Sequence, residues 1–208
     1  MPTRPLRRLC AENDGIAVVE FAATLPFLIL IFLGGAEIVN YTLAHMTVNR
    51  IGMTVADNAS RVTTVIDESD IVEAFAAAQA IGGKMDMLNN SKIVLSSLMP
   101  NGKTGSNAGQ TINWQRCYGK LTVTPAYGVQ GAGATNATLA AGIGPTGSKI
   151  TAATGTAVMF VEVSYDYQPV ALSSLIGTKR IRFETAFNVR GRVNQTITNS
   201  GSLTVNSC

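Results

Sequence analysis

Residues 15–39 read GIAVVEFAATLPFLILIFLGGAEIV, and the rest of the chain is organised around them. From Ile16 to Ala36 the one charged residue is Glu20, and from Leu25 to Leu33 every residue is apolar. A helix rises about 1.5 Å per residue, so about 20 residues cross a hydrocarbon core about 30 Å thick. No other stretch is as long and as apolar. Arg4, Arg7 and Arg8 precede it, and clustered positive charge stays on the cytoplasmic side. The sequence therefore predicts a single-pass protein of the inner membrane. Residues 1–15 form a cytoplasmic leader, 16–40 the transmembrane helix, and 41–208 an extracytoplasmic domain.

Glu20 lies only four residues into the apolar run. An ionised carboxylate at helix-centre depth costs about 2.5–3.5 kcal/mol on insertion scales, so it calls for a partner or a shallow position. One reading places it near the cytoplasmic interface with no role. Its neighbours suggest another. Gly15 is followed by Ile-Ala-Val-Val, then Glu20 and the aromatic Phe21, all behind a short basic leader. This run resembles the prepilin-peptidase site of type IV pilin-like proteins, and more closely that of the tight-adherence (Tad/Flp) branch.

The resemblance implies cleavage between Gly15 and Ile16, so that Ile16 carries a new α-amino group. It also implies that Glu20 of one subunit meets that amine on its neighbour. A buried charge that is costly in a monomer then selects for assembly and fixes register. The family often has Tyr after the glutamate; Phe21 keeps the aromatic ring and lacks the hydroxyl. A second run, residues 160–169 (FVEVSYDYQP), resembles the strand ending in Tyr-x-Tyr-x-Pro of the TadE-like family. The implied partners are the inner membrane, prepilin peptidase, other pilin or pseudopilin subunits and the Tad inner-membrane platform.

At 208 residues the chain has room for one anchor and one domain of ordinary size. Charged residues make up 14 % and mean hydropathy is +0.22, which argues against disorder throughout. A net charge of +3 makes no case for nucleic-acid binding. Cys10 lies in the leader. Cys117 and Cys208 both fall on the outer side, where an oxidising periplasm permits a disulfide, and the sequence predicts that they pair. Two distant cysteines and the single His45 give no metal-ligand spacing, so no metal and no cofactor are expected.

Beyond the membrane, Val48, Ile51, Val55, Ala59, Val62 and Ile66 recur at spacings of three and four, which predicts one helix running on to about Ile66. Pro26 removes a backbone donor within it, and Gly34 and Gly35 permit close contact or flexibility. Glu37 is expected to emerge among headgroups, and His45 to be a surface or interfacial residue. The acidic run Asp67, Glu68, Ser69, Asp70 suits a calcium ion or, preferably, a helix start capped by Ser69 or Asp70 with Glu73 bonding back. Ile71, Ala74, Phe75, Ala78 and Ile81 make the second helix, ended by Gly82 and Gly83. After Asn90 the period changes to two. Strands are predicted at 92–99, 111–124, 156–168 and 179–193, with 128–156 a long, mobile surface loop. The fold class is α+β: a long N-terminal helix continuing into a pilin-like outer domain with a second helix and an antiparallel sheet.

Three functions compete. The first is a structural subunit, a TadE-like minor pilin or pseudopilin used to assemble a Tad/Flp pilus for adhesion. The second is an uncleaved, membrane-anchored binding or scaffold protein, which makes Gly15 incidental. An ordinary secretory signal, cut after the small residues Gly34-Gly35-Ala36, also fits the length but not Glu20. The third is an enzyme, and no nucleophile–base arrangement, phosphate loop or metal cluster supports it.

Overall fold

The computed structural model describes residues 14–171 and 177–208. The leader through residue 13, including Cys10, and residues 172–176 of the connection before the last long strand lie outside the described residues. The chain divides into two compact units. One takes the chain up to Thr42 together with Gln168–Gly177, and the other takes Leu43–Tyr167 with Thr178–Cys208.

The first helix, α1, spans Asp14–Arg61 and so contributes to both units. Its part in the second unit buries Ala44, Val48, Ile51, Val55 and Ala59, the predicted stripe. The helix stops at Arg61 rather than near Ile66. Its last carbonyls find donors elsewhere: the Arg192 guanidinium donates to the oxygens of Ala59 and Val62, each at 3.2 Å, and the Arg190 N–H donates to Ser60 at 3.1 Å. A cation at a helix C-terminus is also favoured by the helix dipole. Ile66 instead enters a two-residue strand, β1 (Ile66–Asp67), paired in parallel with β6 (Ile197–Thr198) near the C-terminus.

The second helix, α2, spans Glu68–Gly82. Its cap is Asp67, which stands ahead of the expected Ser69 or Asp70. The Asp67 carboxylate accepts the Ser69 N–H at 3.1 Å, and Asp70, not Glu73, bonds back to the Asp67 N–H at 2.8 Å. Ile71, Ala74, Phe75 and Ala78 are buried as predicted, and Gly83 takes the chain off the helix at φ 51°. A single turn, α3 (Met87–Asn90), leads into the sheet.

The sheet has four antiparallel strands: β2 (Ser91–Pro100), β3 (Gln110–Tyr118), β4 (Val158–Tyr167) and β5 (Lys179–Asn188), in the order β3-β2-β4-β5. Strand β3 stops at Tyr118, short of the predicted 124. Gly119 turns there at φ 94°, where an added Cβ would lie 2.1 Å from the Ser91 carbonyl oxygen. Strand β5 likewise ends before Val193: one further bond in register joins the Val189 N–H to the Ala157 carbonyl at 2.9 Å, and the next N–H, that of Arg190, goes to Ser60 instead. The α+β architecture follows: a long apolar helix, a second helix and a four-stranded antiparallel sheet.

Both faces of the sheet are covered. On one, Gly52 of α1 lies so close that a Cβ there would meet Phe183 at 2.8 Å and Val163 at 3.3 Å. On the other, Leu98, Val158 and Phe160 pack with Ile143 and Ala152. Those last two belong to 128–156, so this segment is no mobile surface loop. It is pinned by side chains: Gln110 exchanges two hydrogen bonds with the Ala152 backbone, and Asn101 donates to the carbonyls of Asn107, Gly133 and Asn136. Lacking a period, the segment hides two core residues among its glycines.

The outer edge of β3 is closed along its length. Ile112 exchanges backbone bonds with Gly131 and Ala132, Gln115 N–H donates to Gln130 Oε1, and Cys117 N–H donates to the Asn206 carbonyl at 2.7 Å. The Cys117–Cys208 disulfide, with Cα atoms 5.0 Å apart, holds that tail in place, as the sequence predicts. Glu68 and Arg116, both buried, form a two-pronged ion pair, with the Nε to carboxylate distances 2.8 and 3.0 Å.

Candidate functional site

The residues singled out for processing and assembly all lie in the first unit, on the N-terminal part of α1. This part is a membrane-length apolar helix whose most apolar window buries nothing against the rest of the chain. Ile16, Phe21, Phe27 and Phe32 are 63, 60, 68 and 77 % exposed. Such a surface is unfavourable in water and natural in lipid or against other helices. Thr24 fits that setting, since its hydroxyl donates back to the Phe21 carbonyl at 3.1 Å and leaves no unpaired donor. Pro26 lies within the helix without ending it.

Gly15 sits in the first described turn of α1, where no atom of the described residues would come within 4 Å of an added Cβ. Glu20 is exposed one turn further on and has no hydrogen-bond or ion-pair partner among the described residues. Phe21 beside it is exposed too. The helix thus sets out a small residue, an apolar residue, a carboxylate without a partner among the described residues and an aromatic within its first two described turns. Among the described residues, nothing comes within 4 Å of a Cβ added at Gly34 or Gly35.

A second carboxylate escaped the reading of the sequence. Glu37, expected among headgroups, is only 3 % exposed. Its oxygens accept the Val170 N–H at 3.1 and 3.3 Å and the Ala171 N–H at 2.9 Å. These donors belong to the connection that follows Tyr165-Asp166-Tyr167-Gln168-Pro169, so the C-terminal end of the apolar run is tied to the segment that follows Pro169. Pro169, which cannot itself donate, was the signal: the amides just after it need an acceptor.

Residues 15–61 match the family described as TadE-like protein. The match begins at Gly15 and covers the apolar run and the rest of α1. No curated protein and no solved structure matches the chain. The TadE-like segment therefore holds Gly15, Ile16, Glu20, Phe21 and Glu37, whereas the sheet, the 128–156 segment and the Cys117–Cys208 tail lie outside it. Beyond the TadE-like segment, several buried polar side chains hold elements together. Burial pushes the Glu162 carboxyl above its ordinary range, opposed by the Ala126 N–H and by Arg182, and Glu162 thereby holds the start of the 126–156 segment on the sheet. Burial and the hydrogen bond to Glu184 push the Tyr127 phenol up, with Tyr127 edge-on to Phe160. Burial lowers Arg192, whose guanidinium is spent on helix carbonyls. His45 is half-buried on α1, and among the described residues no group of three His, Cys, Asp or Glu could hold a metal ion.

Proposed function

We propose that this chain is a Tad/Flp pseudopilin, a non-enzymatic subunit cut by prepilin peptidase between Gly15 and Ile16 and used to assemble an adhesive pilus. The observation that carries the reading is Glu20: an exposed carboxylate without a partner among the described residues, on a membrane-length apolar helix and inside a segment that matches the TadE-like family from Gly15 onward. Among the described residues that carboxylate has no cation. Cleavage creates an ammonium on Ile16, and a neighbouring copy can bring it to Glu20. In hydrocarbon, where the effective dielectric is low, such a pair is far more favourable than either charge alone. The leader's arginines hold the N-terminus in the cytoplasm, residues 16–40 lie in the inner membrane, and residues 41–208 lie outside. Phe21 packs beside the pair, and the apolar flank of the helix meets lipid first and other subunits after assembly.

The test separates cleavage from assembly. Glu20→Ala should insert and be trimmed to Ile16 yet fail to enter the assembly, and Gly15→Leu should accumulate at full length. If the Glu20→Ala chain assembles as well as the wild type, the charge-pairing role is wrong.

A further inference from the structure

Glu37 stands at the C-terminal end of the apolar run of α1, and two backbone amides are spent on it. Its carboxylate is buried, although the next two side chains on the helix, Ile38 and Val39, are exposed. The connection after Pro169 lies against it, and both belong to the first compact unit. The Val170 N–H donates to both carboxylate oxygens, at 3.1 and 3.3 Å, and the Ala171 N–H donates to one at 2.9 Å. Pro169 has no N–H to satisfy. No backbone donor of 169–171 is therefore left unpaired, and all three side chains are apolar. Val170 is 75 % exposed, and Ala171 is exposed beside it.

An exposed valine is ordinary in itself. The backbone that carries this one is not. Irregular chain in water needs no internal acceptor for its amides, because water supplies one. At the edge of a hydrocarbon layer it does, since an unpaired donor there is costly. Depth points the same way. Ile16 and Glu37 lie about 32 Å apart along a helix axis, close to the thickness of a hydrocarbon core. With Ile16 at the cytoplasmic boundary, Glu37 is at the opposite one, and its bond to the Val170 N–H holds that residue at the same level. We propose that Pro169-Val170-Ala171 is a lipid-contacting element, in which Val170 enters the acyl boundary of the periplasmic leaflet and Glu37 positions it. This rests on the membrane placement of residues 16–40 given above and not on cleavage after Gly15. The lipid surface is continuous: Ile38 and Val39 expose apolar side chains beside Glu37. Carboxylate and amides shield one another, so neither meets the bilayer bare. The chain thus touches the membrane at two places far apart in sequence, and withdrawing the helix from the bilayer must withdraw Val170 too.

Spin-label accessibility of the full chain in phosphatidylcholine nanodiscs tests this. All variants carry Cys10→Ser; Cys117 and Cys208 are already paired. A nitroxide is attached at Val170→Cys or, as the membrane reference, at Phe27→Cys. Its collisions with oxygen, which concentrates in hydrocarbon, are compared with those of a water-soluble nickel chelate. The Phe27 label should favour oxygen strongly, and the Val170 label should favour it by a smaller margin. Adding Glu37→Ala should turn the Val170 ratio toward nickel and leave the Phe27 ratio unchanged. Because the label is the same in both backgrounds, its own affinity for lipid cannot produce that difference. A Val170 label that favours nickel while the Phe27 label favours oxygen overturns the lipid contact and leaves the membrane reading intact. A Phe27 label that favours nickel overturns the membrane reading and the contact with it. A Val170 ratio indifferent to Glu37→Ala overturns Glu37 as the residue that positions the contact.

Discussion

Removing the Glu37 carboxylate should loosen the connection that follows β4. Glu37→Ala deletes an acceptor that receives the Val170 and Ala171 amides at 2.9–3.3 Å. A hydrogen bond to a charged group contributes about 1.5–3 kcal/mol. The released N–H groups regain water, so the net loss is taken as one such bond rather than two. At about 1.4 kcal/mol per tenfold change, that is about 10- to 150-fold faster exchange of these two amides when opening is local. The assay is hydrogen–deuterium exchange of the full chain in lipid nanodiscs, read on peptides covering 168–171. Glu37→Gln, which keeps the shape and one acceptor oxygen, should fall between the wild type and Ala. Peptides covering the interior of β4 should be unchanged, because its protection comes from pairing with β2 and β5. Equal exchange at Val170 and Ala171 in the wild type and Glu37→Ala would refute the tether.

Two further outcomes follow from the second unit. Glu68→Ala should destabilise it by about 3–5 kcal/mol, because Arg116 is left charged and buried, whereas replacing both by Met should recover most of that loss. Denaturant titration in detergent measures this, and a double variant as unstable as the single would contradict it. The Asp67 carboxyl is held well below its ordinary 3.8, first by the Ser200 N–H and then by the Ser69 N–H, with burial opposing. A carboxyl depressed in the folded state stabilises it above the ordinary value, and this contribution is lost as pH falls below 3.8. Thermal midpoints taken between about pH 6 and 2 should therefore fall less steeply for Asp67→Asn than for the wild type, and equal slopes would remove Asp67 from the acid response.

What could be read in the sequence was whatever one segment decides alone. The apolar run, the stripe from Val48 to Ala59 and the strand around Val161 each carry their own period, and the pairing of Cys117 with Cys208 needed only a shared compartment. What could not be read depends on a distant partner. The cap at Asp67 is reinforced by Thr198 and Ser200, more than 130 residues on, which outweighs the local candidates Ser69 and Asp70. The stop at Arg61 is set by Arg190 and Arg192, although the apolar period continues to Ile66. Glu37 meets its donors 133 and 134 residues later. The 128–156 segment looked mobile because Ile143 and Ala152 follow no period, and their burial is dictated by the sheet face they cover. At the candidate site, Gly15, Ile16, Glu20 and Phe21 were legible as a motif, and the structure adds that Glu20 is exposed and has no partner among the described residues.

The central claim is that this helix is made to be trimmed at Gly15 and joined through Glu20. Its most direct test is the intact mass, with N-terminal sequence, of the membrane-extracted protein from cells with and without prepilin peptidase. The account predicts a chain beginning at Ile16 only when the peptidase is present. A chain beginning at Glu37, or one retaining the basic leader in both strains, would contradict it.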